Sequence, residues 1–162
     1  MSDNVYLGNP NLKKANTPIE FTEEQIIEFV QCQRDPVYFA NKYVKIVSLD
    51  EGLVPFKPYR FQEKLITNFH ENRFNICKMP RQTGKSTTVV SYLLHYAVFN
   101  DSVNIGILAN KAATARELLG RLQTAYENLP KWMQQGIIAW NKGSLELENG
   151  SKILAASTSA SA

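Results

Sequence analysis

The chain has 162 residues, enough for one domain with a real core, and its 44% hydrophobic and 20% charged content is ordinary for a globular protein. No apolar run approaches the ~18 residues of a membrane span, and the polar N-terminus carries no charged-then-apolar signal pattern, which argues against a membrane or secreted protein. A net charge of +3 and a pI near 8.8 are compatible with a nucleic-acid partner without demonstrating one.

In chain order, residues 1–20 are polar, contain Pro10 and Pro18, and read as a loosely ordered lead-in. Thr22-Glu23-Glu24-Gln25 is a capping box that opens a helix carrying Ile26, Ile27, Phe29 and Val30. Asp35-Pro36 restarts the chain, with Asp as cap and Pro at the first helical position, and Val37, Tyr38, Phe39, Tyr43 and Val44 supply an apolar face. Leu49 to Pro58 reads as a loop and Tyr59 to Phe69 as another helix, so residues 21–72 form a helical N-terminal part.

Residues 73–162 read as the first part of an α/β core. Phe74 to Met79 predicts a short buried strand, Thr87 to Phe99 the helix after it, and Val103 to Ala109 a second strand. Ala112 to Leu129 is amphipathic, with Ala115, Leu118, Leu119, Leu122, Tyr126 and Leu129 on one face. After Gly136 to Trp140 comes a hairpin: Ser144 to Glu148 alternates, Asn149-Gly150 predicts a type I′ turn, and Lys152 to Ala156 returns. Helices, then βαβα, then a hairpin specify the start of an α/β nucleotide-binding fold with a parallel sheet. Cys32 and Cys77 lack metal-ligand spacing and sit among apolar residues, which predicts two buried thiols in a reducing cytoplasm. His70 and His95 lack a partner carboxylate or ligand at metal spacing and read as structural, and Trp132 and Trp140 read as packing.

The most informative run is Met79-Pro80-Arg81-Gln82-Thr83-Gly84-Lys85-Ser86-Thr87. It fits a phosphate-binding P-loop except at its first position, where Met79 replaces glycine. Gly84 permits a sharp turn and close approach of backbone to phosphate. Lys85 can reach the β- and γ-phosphates, and the Ser86 hydroxyl can ligand Mg²⁺. Backbone N–H groups from Pro80, Arg81, Gln82 and Thr83 onward to Thr87 (proline excepted) would face the phosphates of ATP. A lysine at a helix start is unfavourable beside the helix dipole unless an anion is present, which favours the nucleotide reading. Arg81, inside the loop, could stabilise charge developing on the γ-phosphate.

Hydrolysis needs an acidic residue at the end of a later apolar strand, and the sequence after Lys85 offers no such strand. Asp101 sits in a loop, Glu117 and Glu127 lie on the amphipathic helix, and Glu146 and Glu148 alternate on the hairpin. The expectation is a fragment that binds ATP and does not hydrolyse it.

Taken in order, these motifs resemble the N-terminal ATPase region of the large terminase subunit of T4-like tailed bacteriophages, from about Asn9 onward. Asn11 to Asn16 resembles the family's lead-in, Cys32 to Ala40 its Asp-Pro-x-Tyr-Phe motif, and Phe61-Gln62 its aromatic-Gln adenine motif, with Phe61 where close relatives often carry tyrosine. Pro80 to Ser86 resembles its deviant P-loop, and Trp140 to Ser144 and Asn149 to Ser151 the segment before its acidic strand. The resemblance implies an incomplete RecA-like (ASCE) P-loop NTPase sheet in an ATP-driven motor that packages viral DNA. It implies Arg81 as an arginine finger in cis, and Gln62 reading the adenine edge beside the Phe61 ring. It also implies double-stranded DNA, portal protein and small terminase subunit as partners, a homo-oligomeric ring, and work in the host cytoplasm on the viral procapsid. The family's acidic strand, its coupling motif and its nuclease domain are missing from these residues. A helicase-like P-loop ATPase, or a non-enzymatic truncated product needing a partner chain, are the alternatives. Arg81 and the Asp35 to Phe39 segment favour the motor.

Overall fold

The computed structural model describes residues 4–48 and 50–158. The local signals for the first helices hold. Helix α1 (Glu23–Arg34) opens at the capping box, Gln25 N donating to Thr22 Oγ1 at 3.2 Å and Thr22 N to Gln25 Oε1 at 3.1 Å. Asp35 Oδ1 accepts from the N–H groups of Val37 and Tyr38, both at 2.9 Å, and starts α2 (Pro36–Tyr43). The two helices are tied by Glu28, whose carboxylate accepts from the Tyr38 and Tyr43 hydroxyls and from Lys42 Nζ at 2.8 Å. Burial pushes its pKa up, but the bonds from Lys42, Tyr43 and Tyr38 overcome this and leave it lowered.

Two regions read as irregular are hairpins instead. Strand β1 (Val5–Tyr6) pairs antiparallel with β2 (Asn9–Lys13), and Leu12 is 2% exposed. Within the expected lead-in, Val5–Tyr6 and Asn9–Lys13 are therefore paired strands, while residues 17–20 carry no regular element. The order of the strands comes from distant partners: Lys13 N donates to Gln134 Oε1 at 3.0 Å, and Lys13 Nζ pairs with Glu148 at 2.8 Å. Strand β3 (Lys45–Ser48) pairs with β4 (Gly52–Pro55) across a turn within the expected loop.

Helices α3 (Arg60–Glu71) and α4 (Lys85–Phe99) precede β5 (Asn104–Ala109), α5 (Ala112–Glu127), β6 (Ile137–Trp140), β7 (Ser144–Leu147) and β8 (Lys152–Ser157). The main sheet has the order β5-β8-β7-β6. Strand β8 runs parallel to β5, Asn104 opposite Lys152 through Ala109 opposite Ser157, while β7 is antiparallel to both of its neighbours. The parallel-sheet expectation is corrected to a mixed α/β sheet, because the closing hairpin joins the sheet rather than following it. One sheet face, with Ile105, Ile107, Leu145, Leu147 and Ile153, is buried together with Ala115, Leu119, Leu122 and Tyr126 of α5. On the other face Leu108 and Leu154 are exposed. Trp132 and Trp140 pack edge-on or tilted against Tyr43 and Tyr126, as read from the sequence.

Three further expectations are corrected. Phe74 to Met79 forms no strand: Phe74 and Ile76 are exposed, and among the described residues no strand lies alongside to complete a ladder. Cys77 in that segment is exposed, so only Cys32 is a buried thiol, its pKa pushed up to about 12 by burial and by Glu28. Asn149-Gly150 is not a type I′ turn. Gly150 alone is left-handed (φ +81°), following a bond from its N–H to Leu147 O at 3.0 Å, the pattern of a longer bulged loop.

Candidate functional site

The chain makes a tight turn that ends at Gly84, the N-cap of α4, and Lys85 is the first residue of the helix. Gly84 is left-handed (φ +73°), a conformation that favours glycine, and a Cβ there would meet Gln62 Nε2 at 2.5 Å and displace that amide from the turn. Gln82 is also left-handed (φ +60°), a conformation that costs a side-chain-bearing residue about 1 kcal/mol and is common where loops are shaped for ligands. Lys85 Nζ curls back over the loop and donates to Met79 O at 2.7 Å and Pro80 O at 2.6 Å. Thr83 Oγ1 donates to Pro80 O at 3.0 Å, and Thr88 Oγ1 to Gly84 O at 3.0 Å. Ser86 and Arg81 are exposed, and Arg81 forms no ion pair among the described residues.

Sequence reasoning placed Gln62 at this site, and the structure brings it there. It is 4% exposed, its Oε1 accepts from Tyr59 N at 2.9 Å, and its Nε2 faces Thr83 O at 3.5 Å. Gln62 therefore closes the first turn of α3 and braces the Gly84 turn. Phe61 is half-exposed, and its ring stacks on Tyr59 with centroids 5.9 Å apart and planes 8° from parallel. Tyr59 was not singled out by the sequence; its offset of two from Phe61 across a helix start was the available signal.

The first turn of α4 divides its residues between two cavities. Lys85 and Ser86 face one of about 280 Å³, walled by Leu65, Cys77, Val89, Leu93 and Ile107. Thr87 lines another of about 720 Å³, between β3 and α5. The candidate acidic residues are engaged elsewhere: Glu146 pairs with Lys152 at 2.9 Å, Glu148 with Lys13, and Glu117 with Arg121 at 2.7 Å. Among the described residues no group of three or more His, Cys, Asp and Glu side chains could hold a metal ion.

This is an α/β protein organised around a helix that begins at a glycine-lysine-serine turn. Residues 76–162, more than half of the chain, match the family described as terminase large subunit, T4likevirus-type, N-terminal, and the chain belongs to that family. It is thereby a component of a phage DNA-packaging motor. The match starts in the exposed segment before the turn; Asn11 to Asn16, Asp35 to Phe39 and Phe61-Gln62 lie ahead of it. No helix among the described residues is long and apolar enough to cross a membrane.

Proposed function

We propose that this chain supplies the ATP-binding turn of the packaging motor. The observation that carries the reading is Lys85, whose ammonium has, among the described residues, only the turn's own carbonyls, Met79 O and Pro80 O, as hydrogen-bond partners. A cation held by neutral carbonyls at the start of a helix is readily taken over by a phosphate, which brings full charge to the positive end of the dipole. The donor set fits a triphosphate: backbone N–H groups of Gln82 to Thr87, the Lys85 ammonium, the Ser86 hydroxyl and the exposed Arg81.

In this reading Lys85 neutralises the β- and γ-phosphates, Ser86 offers an oxygen to Mg²⁺, and Arg81 stabilises charge on the transferring phosphoryl group. Mg²⁺ held at the Ser86 hydroxyl would supply positive charge against that of the phosphates. The Phe61 and Tyr59 rings offer an exposed platform for the adenine. Gln62 uses one acceptor position on Tyr59 N and one donor on Thr83 O, which leaves its amide a second donor and a second acceptor position for the adenine edge. These residues bind ATP and do not by themselves hydrolyse it, because Glu146 and Glu148 are held by lysines. Double-stranded DNA, portal protein and small terminase subunit are the partners, and a ring of copies docked on the procapsid in the host cytoplasm is the working assembly.

Calorimetry with Mg-ATP on the wild type and Lys85→Ala tests the reading. We expect Lys85→Ala to abolish binding; equal affinity in both would sink the assignment. Phosphate release by the chain, with Lys85→Ala as the contamination control, tests the second half. Lys85-dependent turnover would mean that Glu146 or Glu148 leaves its lysine and acts in catalysis.

A further inference from the structure

The far end of α4 is closed in an unusual way. Its last turn has no basic residue, and Asn100 beyond it is extended (φ −125°). A helix leaves its last four carbonyls without an intrahelical partner, and water or a left-handed glycine turn commonly meets them. Here a side-chain amide meets each one. Tyr96 O accepts from Asn100 Nδ2 at 2.9 Å, Ala97 O from Asn149 Nδ2 at 2.9 Å, Val98 O from Gln135 Nε2 at 3.0 Å, and Phe99 O from Gln33 Nε2 at 3.3 Å. Asn149 Nδ2 also reaches Asn100 O at 3.1 Å, where Ser151 Oγ donates at 2.8 Å.

The donors come from α1, from the loop before β6 and from the β7–β8 turn, so the helix end is fixed against three separate parts of the chain. Asn149 is itself held. Its Oδ1 accepts from Ser151 N at 3.1 Å and its carbonyl from Ser102 N at 2.9 Å. The turn lies close to Ser102, whose Oγ would sit 2.9 Å from a Cβ on Gly150, and Gly150 is left-handed (φ +81°).

We propose that Asn149 is a positioning residue for the phosphate-binding turn at the opposite end of α4, an inference that rests on the ATP reading above. The helix has 15 residues and spans about 22 Å as a stiff rod. Fixing the axial position and rotation of one end fixes the other. The turn itself has little else to hold it: the segment before it is exposed, and its side brace is the Gln62 to Thr83 contact at 3.5 Å. From a turn of the main sheet Asn149 bonds two carbonyls one helical turn apart, Ala97 O and Asn100 O, and so ties the end of α4 to that sheet.

Asn149→Asp keeps the shape and the acceptor for Ser151 N but turns a carboxylate oxygen toward two carbonyls; Asn149→Ala removes the donor without adding charge. On the full chain, well below each variant's unfolding midpoint, ATP affinity and amide hydrogen exchange at Gly84 to Thr88 are measured. We expect about tenfold weaker ATP and several-fold faster exchange in both variants, with a smaller effect in Ser151→Ala. A lowered unfolding midpoint with unchanged affinity and unchanged exchange at the turn would show a purely structural role and overturn the proposal. If the Asn149 variants do not fold, Gln135→Ala, which removes one carbonyl partner, is judged on the same two quantities. Should wild type and Lys85→Ala bind ATP equally, the nucleotide reading fails, and exchange at Gly84 to Thr88 then decides the clamp by itself.

Discussion

At its C-terminal end, α4 has every terminal carbonyl met by a side chain, and Leu94, Ala97 and Val98 beside it are buried to within 1%. At its N-terminal end the chain arrives through an exposed segment, Ile76 fully so, and Lys85, with no acidic partner among the described residues, folds onto neutral carbonyls. The same helix thus joins a saturated end to an unsaturated one. Unmet hydrogen-bonding capacity is what a ligand can use, and a fixed far end is what keeps that capacity in one geometry.

The largest expected effect lies at the unsaturated end. If Arg81 is the finger proposed above, Arg81→Ala in an active motor subunit lowers turnover by about 10³-fold or more while ATP affinity changes only a few-fold, as expected of a charge that acts mainly in the transition state. Steady-state kinetics decides; a change in KM alone removes the finger. Next comes the contrast in packing. Leu94→Ala, in the buried half of α4, costs about 2–5 kcal/mol, whereas Ile76→Ala stays within about 0.5 kcal/mol. Denaturant unfolding of both variants tests this, and a comparable loss from Ile76→Ala would mean that the exposed segment is packed in solution.

A pH dependence sharpens the comparison further. His95 lies in the saturated half, 1% exposed, with Nε2 on Cys32 O at 2.9 Å, and burial lowers its pKa from 6.5 to about 4. Above pH 6.5 the ring is neutral in both folded and unfolded chains, and stability is at its full value. As pH falls from 6.5 toward 4 the unfolded chain takes up a proton that the folded chain refuses, and stability drops by up to about 3 kcal/mol. His95→Gln should flatten that slope in unfolding curves taken across the window. Glu28 and Glu148, both held lowered, add their losses only below about pH 4.5.

The smallest effect is at the brace between α3 and the turn. Gln62→Ala removes the acceptor of Tyr59 N and the contact to Thr83, at about 1 kcal/mol of stability. If Gln62 also reads adenine, preference for ATP over GTP shrinks in the same variant. An unchanged preference would leave it as a brace only.

Legibility in the sequence followed the range of the interactions. Thr22-Gln25 and Asp35-Pro36 announced α1 and α2 because a cap is settled by residues three positions apart. The Gly84 turn was legible for the same reason, as was the apolar face of α5. Asn149 was read as a hairpin residue, and no local pattern marks it as the partner of Ala97, 52 positions earlier. Lys13 and Gln134, 121 positions apart, gave no sign that they would order the first hairpin.

The sequence by itself determined the helices, their caps, and a glycine-lysine-serine turn at the start of α4, since each depends on contacts within a turn or two of the chain. Only the tertiary structure decided that β8 would lie parallel to β5, that Phe74 to Met79 would stand exposed, and that amides from three distant segments would help close α4. Strand pairing and the satisfaction of a helix end depend on which distant segments arrive alongside. The same apolar run is a buried strand when a ladder partner is present and an exposed segment when none lies beside it.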